Sequence, residues 1–165
     1  MRRVVVAVVV CVACVVRTGT SAAQEAIFLV RHAERQDNSI DSPLSAEGRA
    51  RAARLAQMLR DARITAIYVS EFQRTAETAQ PLADLLKLPL VRTAAADSAG
   101  LLGKLRASDP HARVLVVSHA DRLPTLLRDL GYGQEITIAT GQYDDLLVVT
   151  PGERPGAPVV IRLRY

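Results

Sequence analysis

The sequence predicts an α/β protein, a three-layer α/β/α sandwich around a mostly parallel central sheet with no large cap domain. Three observations carry this expectation. Short apolar runs alternate along the chain with stretches of helical periodicity. The strongest runs, Ala26-Ile27-Phe28-Leu29-Val30 and Val114-Leu115-Val116-Val117, are apolar throughout, as strands covered on both faces are. The chain has 165 residues, enough for one compact domain and too few for two of ordinary size. Half of it is hydrophobic (49%) but only 4% is aromatic, so Ala, Val and Leu must build the core.

The first segment is set apart from the fold. Arg2 and Arg3 precede an apolar run over residues 4–16, followed by a small polar stretch over 18–23. A basic start, a short apolar stretch and a small-residue exit describe a secretory signal peptide. The run is shorter than the roughly 20 residues that span a bilayer as a helix. Ser21-Ala22-Ala23 places the cut before Gln24, giving a signal peptide over 1–23, a domain over 24–165 and a periplasmic or secreted product without a membrane span. Both cysteines, Cys11 and Cys14, lie in the leader, so the mature chain carries no disulfide framework. Arg2, Arg3 and Arg17 leave with it, bringing the net charge from +4 to about +1 and removing any case for a nucleic-acid partner.

The mature chain opens on the apolar run ending at Val30. Ser45 is placed to cap a helix over 45–60, with Glu47 in its first turn and Ala52, Leu55, Ala56 and Leu59 on one face. Ala66-Ile67-Tyr68-Val69 is a second strand. A helix over 74–86 follows, and Pro81 predicts a kink or restart within it. Pro89-Leu90-Val91 is a weak strand, and residues 94–110 hold a short helix between loops. After the central run over 114–117, Leu123, Leu126, Leu127 and Leu130 form a helix that Gly131 closes. Residues 146–150 and 159–163 finish as strands joined by a Pro/Gly turn over 151–158.

Polar clusters stand just past three of these strands: Arg31-His32-Ala33-Glu34, Ser70-Glu71-Phe72-Gln73-Arg74-Thr75 and Ser118-His119-Ala120-Asp121. A parallel sheet gathers such ends on one rim, where α/β folds bind ligands. Together they supply two arginines and two histidines. Guanidinium forks match phosphate oxygens in geometry and charge, and an imidazole nitrogen can attack phosphorus and hold it covalently. Taken singly, each cluster has a plainer meaning. Arg74 is a helix-surface cation, His119 a satisfied core histidine, Asp121 an N-cap before Arg122-Leu123-Pro124, and His111 an exposed turn residue.

The motifs "VRHAE", "SEFQRTAET" and "VVSHADRLPTLLRDLG", with "PLSAEGRARAARLAQML" and "YDDLLVVT" between and after them, resemble the histidine phosphatase (phosphoglycerate-mutase-like) superfamily over essentially the whole mature chain. The resemblance implies that His32 is the phosphorylated nucleophile. It matches Arg31 and Arg74 to the phosphate-binding arginines and His119 to the second pocket histidine. Asn38 stands where some members place a phosphate-contacting Asn, although its surroundings read as an exposed turn. Ala33 replaces the commoner Gly. The proton donor is Asp121 as first choice and Glu34 as second. No cofactor and no metal is implied, and the substrate is a phosphorylated small molecule or phosphoprotein. The alternatives are a phosphate-binding module of the same fold without turnover and, less favoured, a phosphomutase. A metallohydrolase using His119 and Asp121 is poorly supported by three histidines without paired-ligand spacing.

Overall fold

The computed structural model describes residues 24–153 and 157–165; the expected leader over 1–23 lies outside the described residues. Six strands and four helices follow in chain order: β1 (Ala26–Arg31), α1 (Ala46–Leu59), β2 (Ala66–Val69), α2 (Gln73–Leu86), β3 (Leu90–Arg92), α3 (Ser98–Ala107), β4 (Arg113–Ser118), α4 (Leu123–Asp129), β5 (Asp145–Thr150) and β6 (Val159–Arg164). They form one sheet ordered β3-β2-β4-β1-β5-β6. The first four strands in this order run parallel; at one side β5 runs against β1, and β6 runs against β5. This is the predicted mixed α/β sandwich, and no large cap domain is present among the described residues.

Side-chain alternation along the strands assigns the helices to their faces. Ile27 and Leu29 of β1 and Val114 and Val116 of β4 pack with Leu101 and Leu105 of α3 and Leu123 and Leu127 of α4. On the opposite face Val30, Leu115 and Val117 meet Leu55 and Leu59 of α1 and Ala79 and Leu82 of α2. The central strands are therefore apolar throughout because both of their faces are core.

Two of the four helix starts carry side-chain caps. Ser45 accepts from the Gly48 amide at the head of α1, and Asp97 accepts from the Gly100 amide at the head of α3. Gly131, at φ 99°, takes the left-handed conformation just past α4. Two expectations need correction. Of the kink or restart expected at Pro81, the restart does not occur: α2 runs unbroken for 14 residues. Proline removes one backbone donor, but Ala76, Ala79, Leu82 and Ala83 bury one continuous face across it, which offsets the lost bond. Asp121 is not an N-cap either, because α4 begins with Arg122 at the cap position and no side-chain capping bond.

Strand register builds the rim. Arg31 of β1 lies opposite Ser118 of β4, and Val69 of β2 lies opposite Val117. The next residues, His32, Ser70 and His119, therefore leave the sheet side by side; the His32 amide donates to Ser118 O at 2.9 Å. The antiparallel β5 reaches this same rim by its N-terminal end, since Leu146 pairs with Val30. That brings residues 138–144 over the site.

The turn after β1 is pinned by a close approach to α1. Ser45 N donates to Glu34 O, and a Cβ added to Gly48 would stand 2.3 Å from that same oxygen. Gly48→Ala is therefore expected to overpack this contact at a cost of about 1–3 kcal/mol. Urea unfolding should show a lower midpoint at unchanged slope, and wild-type stability would show that the turn gives way freely.

Candidate active site

His32 is only 5% exposed. Its Nδ1 lies 2.8 Å from Ala33 O. A carbonyl only accepts, so Nδ1 carries the proton and Nε2 of the neutral ring keeps its lone pair. The turn is held in place from behind: Ala33 N donates to Thr78 Oγ1 at 2.9 Å, and the Ala33 methyl packs in a small cluster with Leu44 and Ala52. The methyl that replaces the commoner glycine thus has a packing role.

His119 faces His32 with ring centroids 5.3 Å apart and an interplanar angle of 61°. Its Nε2 lies 3.1 Å from Ser70 Oγ, which lies 2.9 Å from Thr75 Oγ1. Thr75 spends its single hydroxyl proton on Phe72 O at 2.8 Å. Ser70 must then donate to Thr75 and accept from His119, which puts the neutral-ring proton of His119 on Nε2. Burial is the largest influence on both imidazoles, and the neighbouring cations add to it. His32 is pushed down to about 3 and His119 to about 4, so both rings are neutral in the free protein near neutral pH.

Two guanidinium groups flank the histidines. Arg31 donates from Nη1 to the carbonyls of Thr140 (2.6 Å) and Gln142 (3.0 Å) and stacks 3.9 Å over the Tyr143 ring. Arg74 donates from Nη1 to Ile40 O at 2.8 Å and stacks 4.2 Å over the Phe72 ring. Both are nearly buried, at 8% and 9% exposure, and among the described residues neither has a carboxylate partner. Among the described residues the Nε–H of each has no acceptor. Buried charges are ordinarily paired, and an unsatisfied buried donor costs on the order of 1–3 kcal/mol. Two guanidinium charges without carboxylate partners beside two imidazoles form a receptor for an oxyanion.

These four side chains line a cavity of about 410 Å³. Arg35, Asp121, Ile138 and Thr140 complete its wall. A second cavity, behind Ser70 and Ser118, holds only about 20 Å³, room for roughly one water and no substrate. Among the described residues no three His, Cys, Asp or Glu side chains gather as a metal-ligand group.

The structure thus brings together Arg31, His32, Arg74, His119 and Asp121. The Asp121 carboxylate is 71% exposed and lies 3.3 Å from Arg122 Nε. Two other expected site residues stand elsewhere. Glu34 turns away to receive Arg51 Nε at 2.7 and 3.0 Å. Burial alone would raise its pKa, but the Arg51 hydrogen bonds and charge outweigh this and hold the carboxyl below the usual range, which makes it a poor proton donor. Asn38 is exposed and accepts from Arg35 Nη2 at 3.1 Å instead of lining the cavity. Residues not singled out from the sequence also serve the site: Arg35, Thr140, Tyr143, Thr78 and, behind His119, Ser70. Ser70 and Arg35 had a signal in their spacing from strand ends, whereas Thr140 and Tyr143 lie just before the antiparallel β5 and had none.

The histidine shifts fix a pH dependence. Unfolded histidines protonate near 6.5, while His32 and His119 resist protonation until about 3 and 4. The stability this contributes is fully present above about pH 6.5 and is lost as pH falls toward the folded values. A bound oxyanion raises both pKa values and reverses part of that loss. Sulfate, dianionic throughout, is therefore expected to bind with proton uptake and more tightly at about pH 5 than at about pH 7. Calorimetry in buffers of different ionisation enthalpy measures the uptake; binding without protons and without pH dependence would contradict the arrangement.

Residues 27–97 match the sequence model of the histidine phosphatase superfamily (branch 1). No curated protein matches the chain. Among solved structures, the protein histidine phosphatase SixA complexed with tungstate superposes with a TM-score of 0.67 at 24% identity, covering 84% of this chain and 96% of that one. A mycobacterial glucosyl-3-phosphoglycerate phosphatase superposes with a TM-score of 0.67 at 15% identity, covering 86% and 98%. Residues 27–97 thus resemble the histidine phosphatase superfamily in sequence, and the described residues share the fold of these solved phosphatases.

Proposed function

We propose that this protein is a phosphomonoester hydrolase working through a phosphohistidine on His32. The observation that carries the proposal is the free Nε2 lone pair of a buried, neutral His32 beside two guanidinium groups without anionic partners. Nε2 attacks phosphorus in line, and the P–O ester bond breaks with its electron pair on the leaving oxygen. Asp121 supplies the proton that oxygen takes up. Ala33 O accepts from Nδ1–H and stabilises the positive charge that grows on the imidazole as the P–N bond forms. Water then attacks phosphorus, the P–N pair returns to Nε2, and the water proton passes to Asp121. Arg31 and Arg74 hold the equatorial oxygens throughout, while His119, with its Nε2–H on Ser70, packs against the His32 ring.

A non-catalytic phosphate-binding module is the second reading, favoured by the exposure of Asp121 and its Arg122 partner. The leaving group separates the two. Asp121→Asn is expected to slow alkyl phosphates far more than aryl phosphates with acidic leaving groups, because only the former need the proton. Equal slowing of both would remove Asp121 from the chemistry, and absence of any turnover would favour the module.

Arg74→Lys should lower kcat/KM at least about tenfold, roughly 1.4 kcal/mol of transition-state stabilisation, since an ammonium reproduces neither the fork nor the stack on Phe72. Wild-type activity in that variant would place Arg74 outside phosphate recognition.

Export is also proposed, on the basic start, apolar run and small-residue exit of residues 1–23. Mass measurement of protein from the envelope fraction should give an N-terminus within a residue or two of Gln24. Intact Met1 on cytoplasmic protein would overturn it.

A further inference from the structure

The cavity is larger and more positive than a phosphoryl group requires. At about 410 Å³ it has the size of a small-molecule site. With both histidines neutral, Arg31 and Arg74 already balance the charge of about −2 on a phosphomonoester. Arg35 lines the same wall and adds a further positive charge. Asp121, the one acid of that wall, is already beside Arg122.

Arg35 is held in place. It bridges to Leu44 across the neck of the 35–44 turn, and Gln36 N donates to Pro43 O at 2.9 Å. The turn is fastened to α2 at three points: Gln73 N donates to Asp41 Oδ1 (2.7 Å), Arg74 to Ile40 O, and Leu44 N to Glu77 Oε2 (2.7 Å). The guanidinium itself meets only a neutral acceptor, Asn38 Oδ1, and no carboxylate among the described residues lies within salt-bridge reach. Its charge acts on both neighbours, adding to the burial that lowers the Arg31 and Arg74 pKa values. A fixed, half-buried fork without an anion, next to a phosphate receptor already in charge balance, is a place for a second anion.

We propose that Arg35 recognises a second anionic group, a carboxylate or a further phosphate, on the part of the substrate beyond the phosphoryl group, and that Asn38 is the residue that positions it. The substrates are then phosphomonoesters of small acids and not of neutral alcohols. This rests on the phosphatase reading above.

Three ligands with similar leaving oxygens test it: glycerol 3-phosphate, 3-phosphoglycerate and propane-1,3-diyl bisphosphate. The wild type is expected to favour the two acidic compounds in kcat/KM by at least about tenfold, as a charged hydrogen bond supplies. Whichever of the two gains more identifies carboxylate or phosphate as the second anion. Arg35→Gln should bring the acidic-to-neutral ratio to within about twofold, Arg35→Lys should keep part of it, and Asn38→Ala should reduce it less than Arg35→Gln. The ratio, unlike absolute rate, is insensitive to a general loss of phosphate affinity. Calorimetric binding of the same compounds to His32→Ala, verified as folded by circular dichroism, reads the preference without turnover. Preference in binding with no hydrolysis of any compound by the wild type would uphold Arg35 and defeat the hydrolase. Hydrolysis with equal wild-type ratios, or a ratio untouched by Arg35→Gln, would defeat the Arg35 proposal and leave the hydrolase standing.

Discussion

Two buried guanidinium groups without carboxylate partners are the constraint around which this molecule is organised. Charge taken out of water normally demands an opposite charge, and Arg31 and Arg74 have none among the described residues. The fold compensates with neutral partners only. Backbone carbonyls take one nitrogen of each fork, and an aromatic face lies under each plane. A carboxylate would have satisfied the arginines and occupied the position an oxyanion needs. Carbonyls and rings hold the groups in place while leaving their charge uncompensated. The same uncompensated field, added to burial, keeps the two imidazoles neutral, as attack on phosphorus requires.

The sheet makes that arrangement affordable in conformational terms. Register alone sets His32, Ser70 and His119 shoulder to shoulder, each one residue past a strand fixed on both faces by core packing. Behind them, the Thr78 hydroxyl, the Ser70–Thr75 pair and the Gly48–Glu34 approach fix the turn and ring positions. Preorganisation of this kind spares reorganisation when charge develops at the phosphoryl group. The side of the cavity formed by residues 35–44 and 138–144 lacks helix or extended strand, and it carries Arg35 and Thr140 beside the receptor.

Much of this was legible in the sequence, for reasons that can be named. Wholly apolar runs at β1 and β4 announced strands buried on both faces, and Ser45 announced the head of α1 through its hydroxyl. The clusters after three parallel strands were bound to meet because parallel strands point the same way. Ionic partnership was not legible. Glu34 lies two residues from His32, yet Arg51, a turn and a half along α1, claims it. Asn38 was aligned with a phosphate contact but serves Arg35 instead. Tyr143 and Thr140 come from the stretch just before β5, the strand that runs against the others, so no rule about carboxyl ends of strands could place them. Pro81 misled because a local penalty was outweighed by burial that only the folded neighbours supply.

The central claim is that phosphorus is transferred to Nε2 of His32, and a rapidly quenched reaction with labelled phosphomonoester tests it most directly. The label should remain on the protein through alkali and be lost in mild acid, as a phosphoramidate behaves, should map to His32, and should vanish in His32→Ala. EDTA should leave both label and turnover intact. A label that persists in His32→Ala, or activity that disappears with chelator and returns with a divalent metal, would contradict the account.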